Sequence, residues 1–103
     1  MGLGTEGQGR LRLVVSDTGP VLHLIETRAL HLLEQTGEVV VPPAVERELS
    51  RRISSWVDIR PAWMRLRQLT DAARQEAHGW LRGDLLDPGE ADALALARQL
   101  EAD

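Results

Sequence analysis

A chain of 103 residues, 43% of them hydrophobic, is long enough for one domain with a packed core. It contains no cysteine, which excludes disulfides and thiolate metal sites and is compatible with a reducing cytoplasm, the expected location. Its net charge of −4, with arginine in place of every lysine, argues against a nucleic-acid binder that works by charge alone. It leaves open an enzyme that holds RNA or DNA through a metal ion.

No apolar stretch approaches the length of a membrane span. The start, Met1 to Arg10, lacks the apolar centre of a signal peptide and reads as a flexible leader over 1–10, ahead of a domain over 11–103. Leu11-Arg12-Leu13-Val14-Val15 has the apolar character of a buried strand, expected over 11–16. It ends in Ser16-Asp17-Thr18 and passes through Gly19-Pro20 into Val21-Leu22-His23-Leu24-Ile25, so a helix is expected over 19–25. Ala29, Leu30, Leu32 and Leu33 predict a second helix over 27–36, with Gly37 as its stop signal. Val39-Val40-Val41 is a second short buried strand closed by Pro42-Pro43, and a helix over 44–52 follows. Trp56-Val57-Asp58-Ile59 alternates apolar with polar and is read as a third strand, ended by Pro61. Trp63, Leu66, Leu69, Ala73, Ala77 and Trp80 recur at helical spacing up to Gly83. A last helix runs from Pro88 to Glu101, with Asp87 as its N-cap and Pro88 in its first turn. Strands alternating with helices predict an α/β fold, a parallel sheet covered by helices.

Three acids near element boundaries are candidates for one site: Asp17, Glu48 and Glu90. Ligands in open α/β sheets bind at the carboxyl ends of strands, which is where Asp17 falls. The competing reading is that Asp17 or Thr18 only caps the next helix. In the helix over 44–52, Val45 and Leu49 define the buried face. At about 100° per residue Glu46 and Glu48 flank that face almost equally, so periodicity does not choose between them. In the last helix Ala93, Leu96, Ala97 and Leu100 gather on one side, with Leu94 extending it; Glu90 projects within that sector and Asp92 lies off it. Glu90 also stands three residues after Asp87, the spacing of a capping box, and a cap explains it equally well. Carboxylates converging from different elements suit Mg2+ or Mn2+, hard cations that take oxygen ligands and keep several waters. Such an ion activates water and stabilises charge on a phosphodiester.

Other residues point to no chemistry of their own. His23, His31 and His78 form no close pair with zinc-site spacing. Arg51-Arg52 and Arg65/Arg67 suit either phosphate contacts or pairing with nearby acids. No Gly-rich phosphate loop with Lys and no nucleophile elbow is present.

Three segments taken in order resemble the PIN-domain ribonucleases, especially the small prokaryotic group near the VapC-like toxins. They are Val14-Val15-Ser16-Asp17-Thr18-Gly19-Pro20 with the Leu22/Leu24 helix, Val39 to Leu49, and Leu86-Asp87-Pro88-Gly89-Glu90-Ala91-Asp92-Ala93-Leu94-Ala95-Leu96-Ala97. The resemblance covers 11–103 and implies a three-layer α/β/α sandwich with a short parallel sheet. It also implies that the family's acids fall on Asp17, on Glu48 rather than Glu46, and on Glu90, with Asp92 as an auxiliary metal ligand. Thr18 is the usual hydroxyl neighbour, facing substrate phosphate. These residues would bind Mg2+ or Mn2+ for the hydrolysis of RNA. Many relatives are toxins held inactive by a cognate antitoxin.

The chain departs from the family pattern at its end. Family members usually add, after the last helix, a strand beside strand one that carries a further Asp. On this reading the chain lacks the C-terminal part of the fold, strand one has an unpaired apolar edge, and a homo-oligomer is expected. Two rival functions result. One is a ribonuclease, in one form the toxin of a toxin–antitoxin pair; the other is a truncated, inactive PIN-like interaction module. A generic α/β domain whose acids only cap helices is the third reading.

Overall fold

The computed structural model describes residues 13–102. The expected leader over 1–10 and the first two residues of the expected strand one lie outside the described residues. β1 (Leu13–Val15) leads into α1 (Thr18–Glu26), a short α2 (His31–Glu34) and β2 (Glu38–Val41). Next come α3 (Pro43–Arg52), the single turn α4 (Trp56–Ile59) and β3 (Met64–Leu66), and then α5 (Asp71–Arg82) and α6 (Pro88–Ala102).

The strands form one parallel sheet in the order β1-β2-β3, with Val14 opposite Val39 and Val40 opposite Arg65. Side chains alternate across a strand, and β2 shows the consequence. Val39 and Val41 enter one apolar layer with Val21 of α1, Val45 and Leu49 of α3, Trp56 of α4 and Met64 of β3. Val40 enters the opposite layer with Ala73 and Ala77 of α5 and Ala91, Ala95 and Leu96 of α6. The result is a three-layer α/β/α fold around a short parallel sheet, as the sequence leads one to expect.

The helix expected over 27–36 shrinks to α2, because α1 is closed by a turn that uses up its beginning. Thr27 N donates to His23 O, Ala29 N donates to Leu24 O, and Arg28 takes the left-handed conformation at φ 59°. Gly37, at φ 150°, holds the backbone conformation that admits the chain into β2.

The third strand is not at 56–59, where alternation suggests it. That segment is α4, a turn started by Ser55 at φ 65° and closed by Asp58 N and Ile59 N donating to Ser55 O. Trp56 is buried within it, whereas Val57 and Ile59 are exposed, so the alternation does not describe a sheet face. The third strand is Met64–Leu66, inside the stretch that reads as helical from Trp63. Pairing with β2 and burial of Met64 override the helical spacing there. The helix itself starts only at Asp71, where Thr70 Oγ1 accepts from Ala73 N as N-cap.

Among the described residues β1 pairs on one side only. Its Leu13 is 45% exposed, and a groove of about 380 Å³ beside it is lined by Leu13, Val15, Ala97, Leu100 and Glu101. No helix among the described residues is long and apolar enough to cross a membrane.

Candidate active site

The carboxyl end of β1 opens into the buried polar pair Ser16 and Thr18, with Asp17 between them. Asp17 caps α1: its Oδ1 accepts from Thr18 N at 2.7 Å. The cap and a role in a site are therefore compatible, since one carboxylate oxygen suffices for the cap. Thr18 Oγ1 donates to Glu48 Oε1 at 2.5 Å, which ties α1 to α3. Glu48 Oε2 accepts from Gly89 N at 3.1 Å, which ties α3 to the first turn of α6. A helix N-terminus has unsatisfied N–H groups and a partial positive charge, so a glutamate from the neighbouring helix is well placed there. Glycine is required for the approach. A Cβ on residue 89 would collide with Glu48 Oε1 and lie 3.0 Å from its Cδ.

Glu46 and Glu48, which periodicity leaves equivalent, part company in the structure. Glu46 Oε1 accepts from the buried Trp56 indole at 3.0 Å, and Glu46 Oε2 stands 3.7 Å from Arg60 Nε. Glu46 thus serves the α3–α4 junction, while Glu48 faces Thr18 and α6.

At the start of α6, Asp87 and Glu90 form the capping box: Glu90 N donates to Asp87 Oδ1 at 2.8 Å and Asp87 N donates to Glu90 Oε1 at 3.1 Å. Both lie near Asp17. Burial raises the Asp17 pKa above its ordinary 3.8, and the negative charges of Asp87, Glu90 and Glu48 raise it further, against the lowering effect of the Thr18 N–H bond. The structure therefore gathers Asp17, Glu48 and Glu90 at one end of the sheet and adds Asp87, which the sequence marks only as a cap. A cleft of about 240 Å³ runs past Glu48 and Asp87, lined by Thr18, Glu48, Arg51, Arg52 and Asp87. Gly89 is a second residue of the site that the acidic pattern does not single out. A helix-disfavouring glycine just inside a helix start is a signal that another group approaches the backbone there.

Asp92 stands apart from this cluster. It lines another cleft, of about 250 Å³, with Arg47, Arg74 and His78. Burial raises its pKa, opposed by Arg47, the Ala44 N–H, His78 and Arg74. The auxiliary metal role expected for Asp92 has no support in this placement, because its neighbours are cations and a helix N-terminus.

The donor set at the cluster is all carboxylate oxygen, the chemistry of Mg2+ and Mn2+ rather than of softer ions. Among the described residues no three such side chains stand arranged around an ion. Their oxygens make hydrogen bonds within the fold: Asp17 is turned to Thr18, Glu48 to Thr18 and Gly89, and Asp87 and Glu90 to each other's backbone. The donors fit a hard cation in kind, and each is held by a cap or a bridge.

A family model described as a PIN domain matches residues 13–103, and the chain belongs to that family. Comparison with curated proteins and with solved structures gives no match.

Proposed function

We propose that this PIN domain is a metal-dependent ribonuclease in which Asp17, Glu48 and Glu90, joined by Asp87, hold Mg2+ or Mn2+. Membership of the family supports a nuclease-type function that acts on RNA with a divalent ion. The observation that carries the reading for this chain is the gathering of four carboxylates from three elements at the carboxyl end of β1, where burial raises the Asp17 pKa and the charges of Asp87, Glu90 and Glu48 raise it further. Such a concentration of negative charge invites a cation. The chemistry that the ion supplies there is activation of water and stabilisation of charge on the phosphodiester. The chain's own part is to hold the donors. Glu48 is positioned by Thr18 and Gly89, and Asp17 by the start of α1. Binding an ion would draw Glu48 and Glu90 away from their present partners. Thr18 would then present its hydroxyl to a substrate phosphate.

The test is cleavage of a labelled RNA by wild-type protein with Mn2+, with Mn2+ plus EDTA, and by Asp17→Asn, Glu48→Gln and Glu90→Gln with Mn2+. Cleavage that needs Mn2+ and falls at least about a hundredfold in each variant supports the reading, in line with the size of effects of acid–base and metal-site groups. RNA left intact by wild-type protein with Mn2+ refutes it.

A second reading, an interaction module without catalysis, is supported by the one-sided pairing of β1 among the described residues and by its exposed Leu13. A toxin role with an antitoxin as partner, or self-association into a homo-oligomer, would use that edge. A solution mass of one chain at micromolar concentration would count against self-association.

A further inference from the structure

We propose that Arg51 and Arg52 are the phosphate-anchoring residues of this protein, holding the RNA backbone beside the acidic cluster. This rests on the ribonuclease reading and adds the part of the site that accepts the substrate's charge.

Both arginines lie in the last turn of α3 and both are exposed. They line the same cleft as Thr18, Glu48 and Asp87. At i+3 and i+4 from Glu48 they have the spacing of intrahelical ion pairs. Those pairs do not form, because the two Glu48 oxygens are turned to Thr18 Oγ1 and Gly89 N. Arg60, Arg74 and Arg98, by contrast, each pair with an acid: Glu46, Asp71 and Glu76. Among the described residues neither Arg51 nor Arg52 has a salt-bridge partner. Two guanidinium groups without carboxylates therefore border a cleft that otherwise holds carboxylates.

A phosphodiester approaching Asp17, Glu48, Asp87 and Glu90 meets like charge, on a chain whose net charge is already −4. A divalent ion offsets that repulsion at the reacting phosphate only. Neighbouring phosphates need fixed cations, and the planar guanidinium fork suits phosphate oxygens. The plain alternative is that the arginines only complement the negative end of the α3 dipole. That role accounts for cations in the last turn of α3 and makes no demand on RNA affinity.

The experiment measures binding of a fluorescent single-stranded RNA by anisotropy across a salt series. It uses Asp17→Asn protein, so that cleavage does not intervene, with Arg51→Ala, Arg52→Ala and both together added to it. Anchoring predicts binding weaker by about tenfold in the double replacement, and a salt slope shallower by about 0.7 for each phosphate that is no longer neutralised. Arg→Lys at both positions should restore most of the slope, since it keeps the charge. Calorimetric Mn2+ titration of Arg51→Ala/Arg52→Ala, with all four acids intact, shows whether the acidic cluster is undisturbed. Unchanged affinity and slope in the double replacement overturn the proposal and leave the arginines to the helix dipole. Absence of RNA binding by the parent Asp17→Asn protein and by wild-type protein in EDTA overturns it as well. The ribonuclease reading stands or falls separately, on Mn2+-dependent cleavage by the wild type.

Discussion

Replacing Gly89 with alanine should displace Glu48 while leaving α6 helical. The added Cβ falls on the Glu48 carboxylate, the movable end of a long side chain, so the carboxylate swings away and the bond from Gly89 N–H to Glu48 Oε2 breaks. A hydrogen bond to a charged group contributes about 1.5–3 kcal/mol. Alanine in a helix is favoured over glycine by about 1 kcal/mol. The net result is a protein less stable by about 0.5–2 kcal/mol. In a Glu48→Ala background the obstacle is absent and only the helix preference remains, so the same replacement should stabilise by about 1 kcal/mol. For a domain of this size about 1 kcal/mol moves Tm by about 4–8 °C. Thermal melts of the four proteins should therefore show Gly89→Ala lowering Tm by several degrees with Glu48 present and raising it without. A shift of the same sign and size in both backgrounds would refute the argument that Gly89 exists to admit Glu48.

Three further outcomes follow from the same geometry. The raised Asp17 pKa means that the folded protein takes up a proton more readily than the unfolded chain, so stability is lost as pH rises from about 3.8 through the raised value. Asparagine caps as well as aspartate, so metal-free Asp17→Asn should melt above the wild type at pH 7, with the gap closing below 3.8; a lower Tm at pH 7 contradicts this. Glu46→Ala strands the buried Trp56 indole N–H and should cost about 1–3 kcal/mol in chemical denaturation, with Glu46→Gln costing less and both leaving Mn2+ affinity unchanged. Asp92→Asn should also leave Mn2+ affinity unchanged in calorimetry, since Asp92 faces Arg47 and His78; a loss of about tenfold, the size expected of a metal-site group, would place it with the acidic cluster.

The elements that position the cluster are legible in the sequence because local signals and tertiary packing agree there. Asp17 caps α1 at the end of an apolar strand, Val39–Val41 runs to Pro42-Pro43, and Asp87 with Glu90 forms the capping box that their spacing announces. The segment 56–66 misleads because its patterns are too short to carry a period. Four residues alternate by chance around one buried Trp56, and three residues pair with β2 despite lying within a helical spacing. The choice between Glu46 and Glu48 is closed to periodicity, since both flank α3 equally. It depends on what stands opposite each flank, namely Trp56 and Arg60 for one and Thr18 and Gly89 for the other. Asp87 does not stand out as a member of the cluster because a cap already accounts for it. Only the fold brings that cap beside Asp17.

The central claim is that the acids at the end of β1 hold a divalent ion, and calorimetric titration of Mn2+ into wild-type and Asp17→Asn protein tests it most directly. The account predicts saturable binding by the wild type that disappears in the variant. Absence of binding by the wild type, or equal binding by both, would contradict it and reduce Asp17, Asp87 and Glu90 to helix caps.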